Sequence, residues 1–266
     1  MRQTNEPAFL NPLIALLTDF GQSDHYVGVV KGVIASIAPL ARVVDISHEV
    51  KPHAVREASY LLWASYRFFP SNSIFVPIVD PGVGGRRRII AARTEKHFFV
   101  APDNGVLQLV GAEEPFVECR EVKTDNSPFI LSPVSATFQG RDVLAPVAAY
   151  LASGVPCSEF GPACEVPRSD VPFAASISHR TGYVLHCDRF GNIVTNIRNE
   201  MFESIAAIRI KRSVVANKIR FYQEGKVNLP SLIRGSSGLV EIVMKEGSAS
   251  GRLGVQPETS FRIEWR

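Results

Sequence analysis

The stretch LIALLTDFGQSDHYVGVVKGVIASIAP, residues 13–39, decides how the fold is read. Its first part is an apolar run that ends in Thr18, Asp19 and Gly21, the pattern of a buried strand opening into a loop. Tyr26, Val29, Val30, Val33, Ile34 and Ile37 then recur at helical spacing. Ser23 or Asp24 can cap that helix and Pro39 stops it. The rhythm continues outward. ARVVDISHEV (41–50) reads as a second strand, polar at its C-terminal end. HAVREASYLLWASYRFFP (53–70) is an amphipathic helix ended by Pro70, and SIFVPIVDPGVGG (73–85) is a third strand running into a Gly/Pro loop. Strand, helix, strand, helix, strand predicts a mostly parallel sheet with right-handed crossovers. Ligands of such sheets sit beyond the C-terminal strand ends, where Asp19, Asp45 and Asp80 fall.

Further along, RRIIAARTEKHFFVAPDNGVLQLV (87–110) predicts two short strands with a hairpin turn at Thr94–Lys96, then a turn or short helix around Asn104–Val110. The polar loop between Asn126 and Ser135 reads as mobile. QGRDVLAPVAAYLASG (139–154) reads as a helix that Gly154 caps. After Gly154 the chain turns rich in Pro, Gly and Ser, which suggests a linker. GYVLHCDRF, NIVTNI, AAIRIKRS, KIRFY, GLVEIVMKE and FRIEWR follow as short alternating strands. The expected architecture is α/β: an N-terminal mostly parallel sheet domain with flanking helices (12–165), a linker (166–176), and a C-terminal antiparallel β-barrel-like domain (177–266).

Composition narrows the function classes. The 266 residues are 45% hydrophobic and 21% charged, ordinary for a globular chain. The net charge of +3, from 29 Lys+Arg against 26 Asp+Glu, gives no strong field for nucleic acid or an anionic membrane. Cys119, Cys157, Cys164 and Cys187 show no CxxC pair, so free thiols in a reducing cytoplasm are expected. The first residues lack the apolar core of a signal peptide, and no stretch is apolar enough for a membrane helix. The histidines show no HExxH or similar spacing, so no metal is expected.

Five sets of residues can carry chemistry. A carboxylate at a strand end, Asp19 in TDFG, can accept two hydrogen bonds from a vicinal diol, but aspartate is also a common turn residue. The loop DPGVGG (80–85) with Arg86, Arg87 and Arg88 fits neither phosphate-loop spacing; its Asp and Arg can make a charge-assisted pair, or be a solvated face. In SATFQGRD (135–142), Ser135, Thr137 and Gln139 enter a helix whose first turn offers N–H groups to a ligand, or they simply cap it. Asp188, Phe190 and Asn192 in CDRFGNIVTN suit a polar ligand with an amino acid end, or a plain turn. GSSG (235–238) and KEGSAS (245–250) can meet a planar base through edge backbone groups, though a hairpin explains them as well.

Together the motifs TDFGQSDHYVGVVKGVI (18–34), VDPGVG (79–84), FVAPDNGVL (99–107), TFQGRD (137–142) and DRFGNIVTNI (188–197) resemble the S-adenosyl-L-methionine hydroxide adenosyltransferase family, related to fluorinase and chlorinase. The resemblance covers nearly the whole chain. It implies hydrolysis of S-adenosyl-L-methionine to adenosine and L-methionine by water attack at C5′, with no cofactor. It also implies a homotrimer with shared active sites. By position, Asp19 resembles the residue holding the ribose diol. Asp188 and Asn192 resemble those gripping the methionine end, and Phe190 the aromatic residue packed on the substrate. Met244 to Ala249 resemble the segment that reads adenine, with Ser236 and Glu241 as further substrate contacts. Ser135 and Thr137 would line the pocket. Asp80 and Arg87 match two members of a catalytic Asp, Arg and His set. The third position is Gln139, where the family motif has histidine; glutamine can hold a water but cannot titrate. Two alternatives follow. One is a non-catalytic adenosyl-binding module. The other, a halide-using adenosyltransferase, is opposed by the charge of Asp80 where a halide would sit.

Overall fold

The structure is a computed structural model that describes residues 12–165, Ala175 and 178–266. The chain separates into two compact units, Met1–Ser169 and Asp170–Arg266. The expected linker (166–176) lies, except for Ala175, outside the described residues.

In the first unit the predicted rhythm is present as β1 (Leu13–Thr18), α1 (Tyr26–Ile37), β2 (Arg42–Ser47), α2 (Val55–Tyr66) and β3 (Ile74–Ile78). Then come β4 (Ile89–Arg93), β5 (Phe98–Pro102), α3 (Gln108–Glu113), β6 (Glu118–Glu121) and α4 (Ala145–Ala152). The strands form one sheet in the order β2-β1-β3-β5-β4-β6. β2, β1, β3 and β5 run parallel, whereas β4 is antiparallel to both β5 and β6. The hairpin at Thr94–His97 accounts for that reversal, closed by Thr94 N–H donating to His97 O at 2.9 Å.

The two-residue period of β1 and β3 divides the core. Ile14, Leu16, Ile74, Val76 and Ile78 pack with Val30 and Ile34 of α1 and Val147, Ala148 and Leu151 of α4. Phe75 faces the other way, stacked on Phe99 at 5.3 Å and edge-on to Tyr66 of α2. Burial of each such side chain contributes about 1.5–3 kcal/mol.

Three local readings need correction. α1 starts after His25, with no side-chain cap, because Ser23 and Asp24 stand exposed a step too early in the turn. The helix of 139–154 opens with a π-turn at Gly140–Leu144 before α4. The 126–135 loop is tied down: the Phe129 ring lies 5.3 Å from Tyr150 and 5.2 Å from Phe160, and Leu131 N–H donates to Asp142 O at 2.8 Å.

The second unit comprises β7 (Thr181–Cys187), β8 (Ile193–Arg198), β9 (Ile205–Ile210), β10 (Ser213–Val215), β11 (Ser231–Arg234), β12 (Leu239–Val243), α5 (Ala249–Leu253) and β13 (Ser260–Trp265). The strands pair antiparallel in the order β10-β9-β13-β7-β8-β12-β11 and nearly close into a barrel. Ile193, Ile197, Ile205, Ile208, Val240, Ile242 and Ile263 fill its inside. KIRFY (218–222) is not a strand: only Lys218 bridges Leu232, and Tyr222–Glu224 is a single 3-10 turn. The strand in that place is β11.

All four cysteines are free thiols. No helix among the described residues is long and apolar enough to cross a membrane.

Candidate active site

In the first unit β1 pairs with β2 on one side and β3 on the other. The crossovers therefore diverge at β1, the arrangement in which such sheets bind ligands beyond the C-terminal strand ends, here those of β1 and β3. Asp19 directly follows β1, and Asp80 lies two residues past β3.

Asp80 and Arg87 form the most enclosed ion pair there, with side chains 8% and 12% exposed. Arg87 Nε donates to Asp80 Oδ1 at 3.1 Å and Oδ2 at 2.8 Å, and Nη2 closes a second bond to Oδ2. The same Nη2 donates to Gln139 Oε1. One guanidinium thus joins all three sequence candidates. Its planar fork suits this; a lysine could not hold the same geometry.

The DPGVGG loop wraps this group instead of cradling a phosphate. Gly82 N–H donates to Asp80 Oδ1 at 3.2 Å, while Val83 and Gly85 N–H donate to carbonyls of the loop itself. Gly84 has φ +74°, and a Cβ there would sit 2.2 Å from Ala136 O, so only glycine lets the loop meet the 135–137 segment. Asn104 Nδ2 donates to Val79 O at 2.9 Å and fixes the strand end that carries Asp80. Arg88 pairs instead with Asp103. The arginine run is therefore only partly a solvated face.

Gln139 is oriented from its own side as well. Phe138 meets Phe20 at 5.9 Å and Tyr26 at 5.2 Å, both edge-on, which ties its segment to the loop after Asp19. Asp142, 1% exposed, accepts from Arg141 Nε at 2.6 Å and from Ser135 N–H at 2.8 Å. Ser135 Oγ and Thr137 Oγ1 are 3.2 Å apart. Asp19 Oδ2 accepts from His53 N–H at 2.9 Å.

The second unit gathers a separate cluster in the turn from β7 to β8. Asp188 Oδ1 accepts from Phe190 N–H at 2.9 Å and Asn192 N–H at 2.8 Å; Oδ2 accepts from Asn192 Nδ2 at 2.8 Å. Asn192 Nδ2 also reaches Tyr222 Oη at 3.3 Å. Gly191, φ +83°, has no room for a Cβ, which would lie 2.0 Å from Ser248 Oγ. The 245–250 loop therefore packs on this turn. Phe190 is 78% exposed.

Glu241 on β12 is nearly buried, and burial, then the nearby Asp188 carboxylate, push its carboxyl up to about 7 against the opposing pull of His186. Burial, then Glu241 and Asp188, raise the Tyr222 phenol. Met244 and Ala249 side chains lie in the core, so these two residues can offer a ligand only their backbone. Ser236 is exposed in the β11–β12 hairpin, closed by Gly235 N–H to Leu239 O at 2.9 Å.

Sequence reading missed Thr18, His48 and Tyr222. Tyr222 lay in a misread strand. His48 ends the polar tail of the second strand, and its hydroxyl partner, Thr18, comes from β1. Among the described residues, no group of three or more His, Cys, Asp or Glu side chains is gathered for a metal ion.

Comparison with known proteins places these features in a family. The SAM hydroxide adenosyltransferase N-terminal domain matches residues 14–161, and the corresponding C-terminal domain matches 182–262. An (R)-S-adenosyl-L-methionine hydrolase of Thermus thermophilus is 35% identical, over 94% of this chain and 98% of its own. A fluorinase of an Actinoplanes species is 30% identical, over 74% of this chain and 75% of its own. The crystal structure of an uncharacterized conserved protein from Thermotoga maritima superposes with a TM-score of 0.85 at 35% identity, covering 94% of this chain and 99% of that one.

Proposed function

We infer that Asp80, Arg87 and Gln139 handle the attacking water in this chain, which belongs to the SAM hydroxide adenosyltransferase family and hydrolyses S-adenosyl-L-methionine to adenosine and L-methionine. The observation that carries the assignment is the single guanidinium joining Asp80 to Gln139 beyond the C-terminal end of β3.

Water attacks C5′ and the C5′–S bond breaks. The sulfonium leaves as a neutral thioether, so no general acid is needed. The protein must align the water, exclude bulk solvent and accept one proton. Gln139 positions the water through its amide. It cannot titrate, so the proton goes to Asp80. Arg87 fixes the carboxylate and offers its positive charge to the developing hydroxide. The sulfonium charge vanishes during the reaction, so a pocket that stabilises cations favours binding more than turnover.

Asp19 holds the ribose diol, and Ser135 and Thr137 line the pocket. Asp188, Asn192 and Phe190 take the methionine end, with Ser236, Glu241 and the backbone of Met244–Ala249 as further contacts. A homotrimer with shared active sites and a cytoplasmic location belong to the same proposal; free thiols suit the latter.

Purified protein incubated with S-adenosyl-L-methionine is expected to yield adenosine and methionine in equal amounts by chromatography. No adenosine above the enzyme-free control would rule out the hydrolase.

A further inference from the structure

Behind Asp19 runs a polar chain, buried at Thr18 and His48, that the mechanism does not use. Thr18 Oγ1 and His48 Nδ1 are 2.9 Å apart. His48 Nε2 lies 3.0 Å from Asp45 Oδ1. Asp45 Oδ2 accepts from Lys31 Nζ of α1 at 2.7 Å. Thr18 is 1% exposed and His48 2%. Burying a hydroxyl and an imidazole is costly unless each has a partner. Here the partners lie across the ends of two adjacent strands, β1 and β2.

The same residues grip the backbone on both sides of Asp19. Thr18 Oγ1 accepts from Phe20 N–H at 3.3 Å. His48 O accepts from Gly21 N–H at 2.8 Å. The Asp19 carboxylate is itself held by His53 N–H of the loop that His48 begins. His48 is thus the common fixture of the Thr18–Gly21 turn.

A vicinal diol asks for a carboxylate of fixed direction. A carboxylate on a loose turn must be ordered each time ligand binds, and that entropy is subtracted from affinity. We propose that His48 is a positioning residue whose imidazole, through Thr18, aims Asp19 at the ribose diol of the adenosyl group, while its main-chain carbonyl holds the Gly21 amide. The proposal rests on the reading of Asp19 as the diol-binding residue. His48 is buried and acts through its neighbours.

The test compares adenosine with 3′-deoxyadenosine, which lacks one hydroxyl of the diol, by calorimetry on the full chain. The wild type is expected to prefer adenosine about tenfold or more, the range for a hydrogen bond to a charged group. Asp19→Ala abolishes the preference. In His48→Ala, and in Thr18→Val, which keeps shape and removes only the hydroxyl, the preference falls to about threefold or less, while 3′-deoxyadenosine binding changes by less than about twofold. His48→Asn, whose amide oxygen can stand near the place of Nδ1, restores part of it. Should His48→Ala fail to fold, Thr18→Val decides. An unchanged preference in a variant that weakens both ligands equally marks a merely structural role and overturns the proposal. No preference in the wild type overturns it together with the diol reading, a result distinct from a preference retained in the variants.

Discussion

At the scale of single residues, the proposed chemistry turns on Gln139, at the position where the resembled family motif has histidine. Its amide oxygen faces Arg87, and Arg87 faces Asp80. In the proposed mechanism, with no titrating group at 139, Asp80 takes the proton. Asp80→Asn keeps the shape and one acceptor oxygen for Arg87 but removes the proton acceptor. It is expected to lower kcat by about 10²-fold or more while leaving substrate affinity within about threefold, the pattern of a group acting in the transition state. Calorimetric Kd and steady-state kinetics separate the two. Gln139→His supplies a base, and turnover is expected to rise about tenfold with a new limb that climbs as pH passes the imidazole range near 6.5. A flat profile between pH 5.5 and 7.5 in that variant would show that position 139 does not reach the water.

At the scale of elements, what could be read from the sequence depended on the range of the interactions. β1, α1 and α2 were legible because apolar periodicity is local and their length made it unambiguous. The Asp80–Arg87 pair was legible because seven residues of one loop hold both ends. β11 was not, being four residues behind Pro230 whose pairing comes from β12. KIRFY alternates like a strand, yet Arg220 is drawn into a local clasp with Glu224 that bends it into a turn. The His48 chain joins β1, β2 and α1, and no window of sequence contains it. Glu241 is another long-range product, since its environment comes from β12 meeting the β7–β8 turn. Its folded pKa of about 7 stands above the ordinary carboxyl value of 4.5, so the folded chain binds this proton more tightly. Its contribution is therefore fully present below pH 4.5 and lost as pH rises through 7. Glu241→Gln is expected to flatten that decline, and to exceed the wild type in stability at pH 8 by roughly 1–3 kcal/mol. Thermal melts from pH 4.5 to 8 measure it; parallel curves for the two proteins would dismiss the buried-carboxyl account.

At the scale of the whole molecule, the candidate residues fall into two sets that belong to different units. Asp19, Asp80, Arg87 and Gln139 lie in the first; Asp188, Phe190, Asn192 and Glu241 lie in the second. A shared-site homotrimer makes a distinctive demand. Asp80→Asn damages only the first set, and Asp188→Ala only the second. If each site takes its two sets from different copies arranged head to tail, mixing the inactive variants in equal amounts, with exchange of subunits, regenerates intact sites. Random assembly leaves about one site in four with both sets undamaged, because an intact site needs one particular ordered pair of neighbours. Activity near a quarter of wild type is therefore expected after mixing, against almost none for either variant alone. Light scattering should give a mass of three chains for the wild type and for both variants. If activity does not return although labelled subunits are seen to exchange, each site is built from one chain, and the exposed ring of Phe190 needs another explanation than substrate carried by a neighbour.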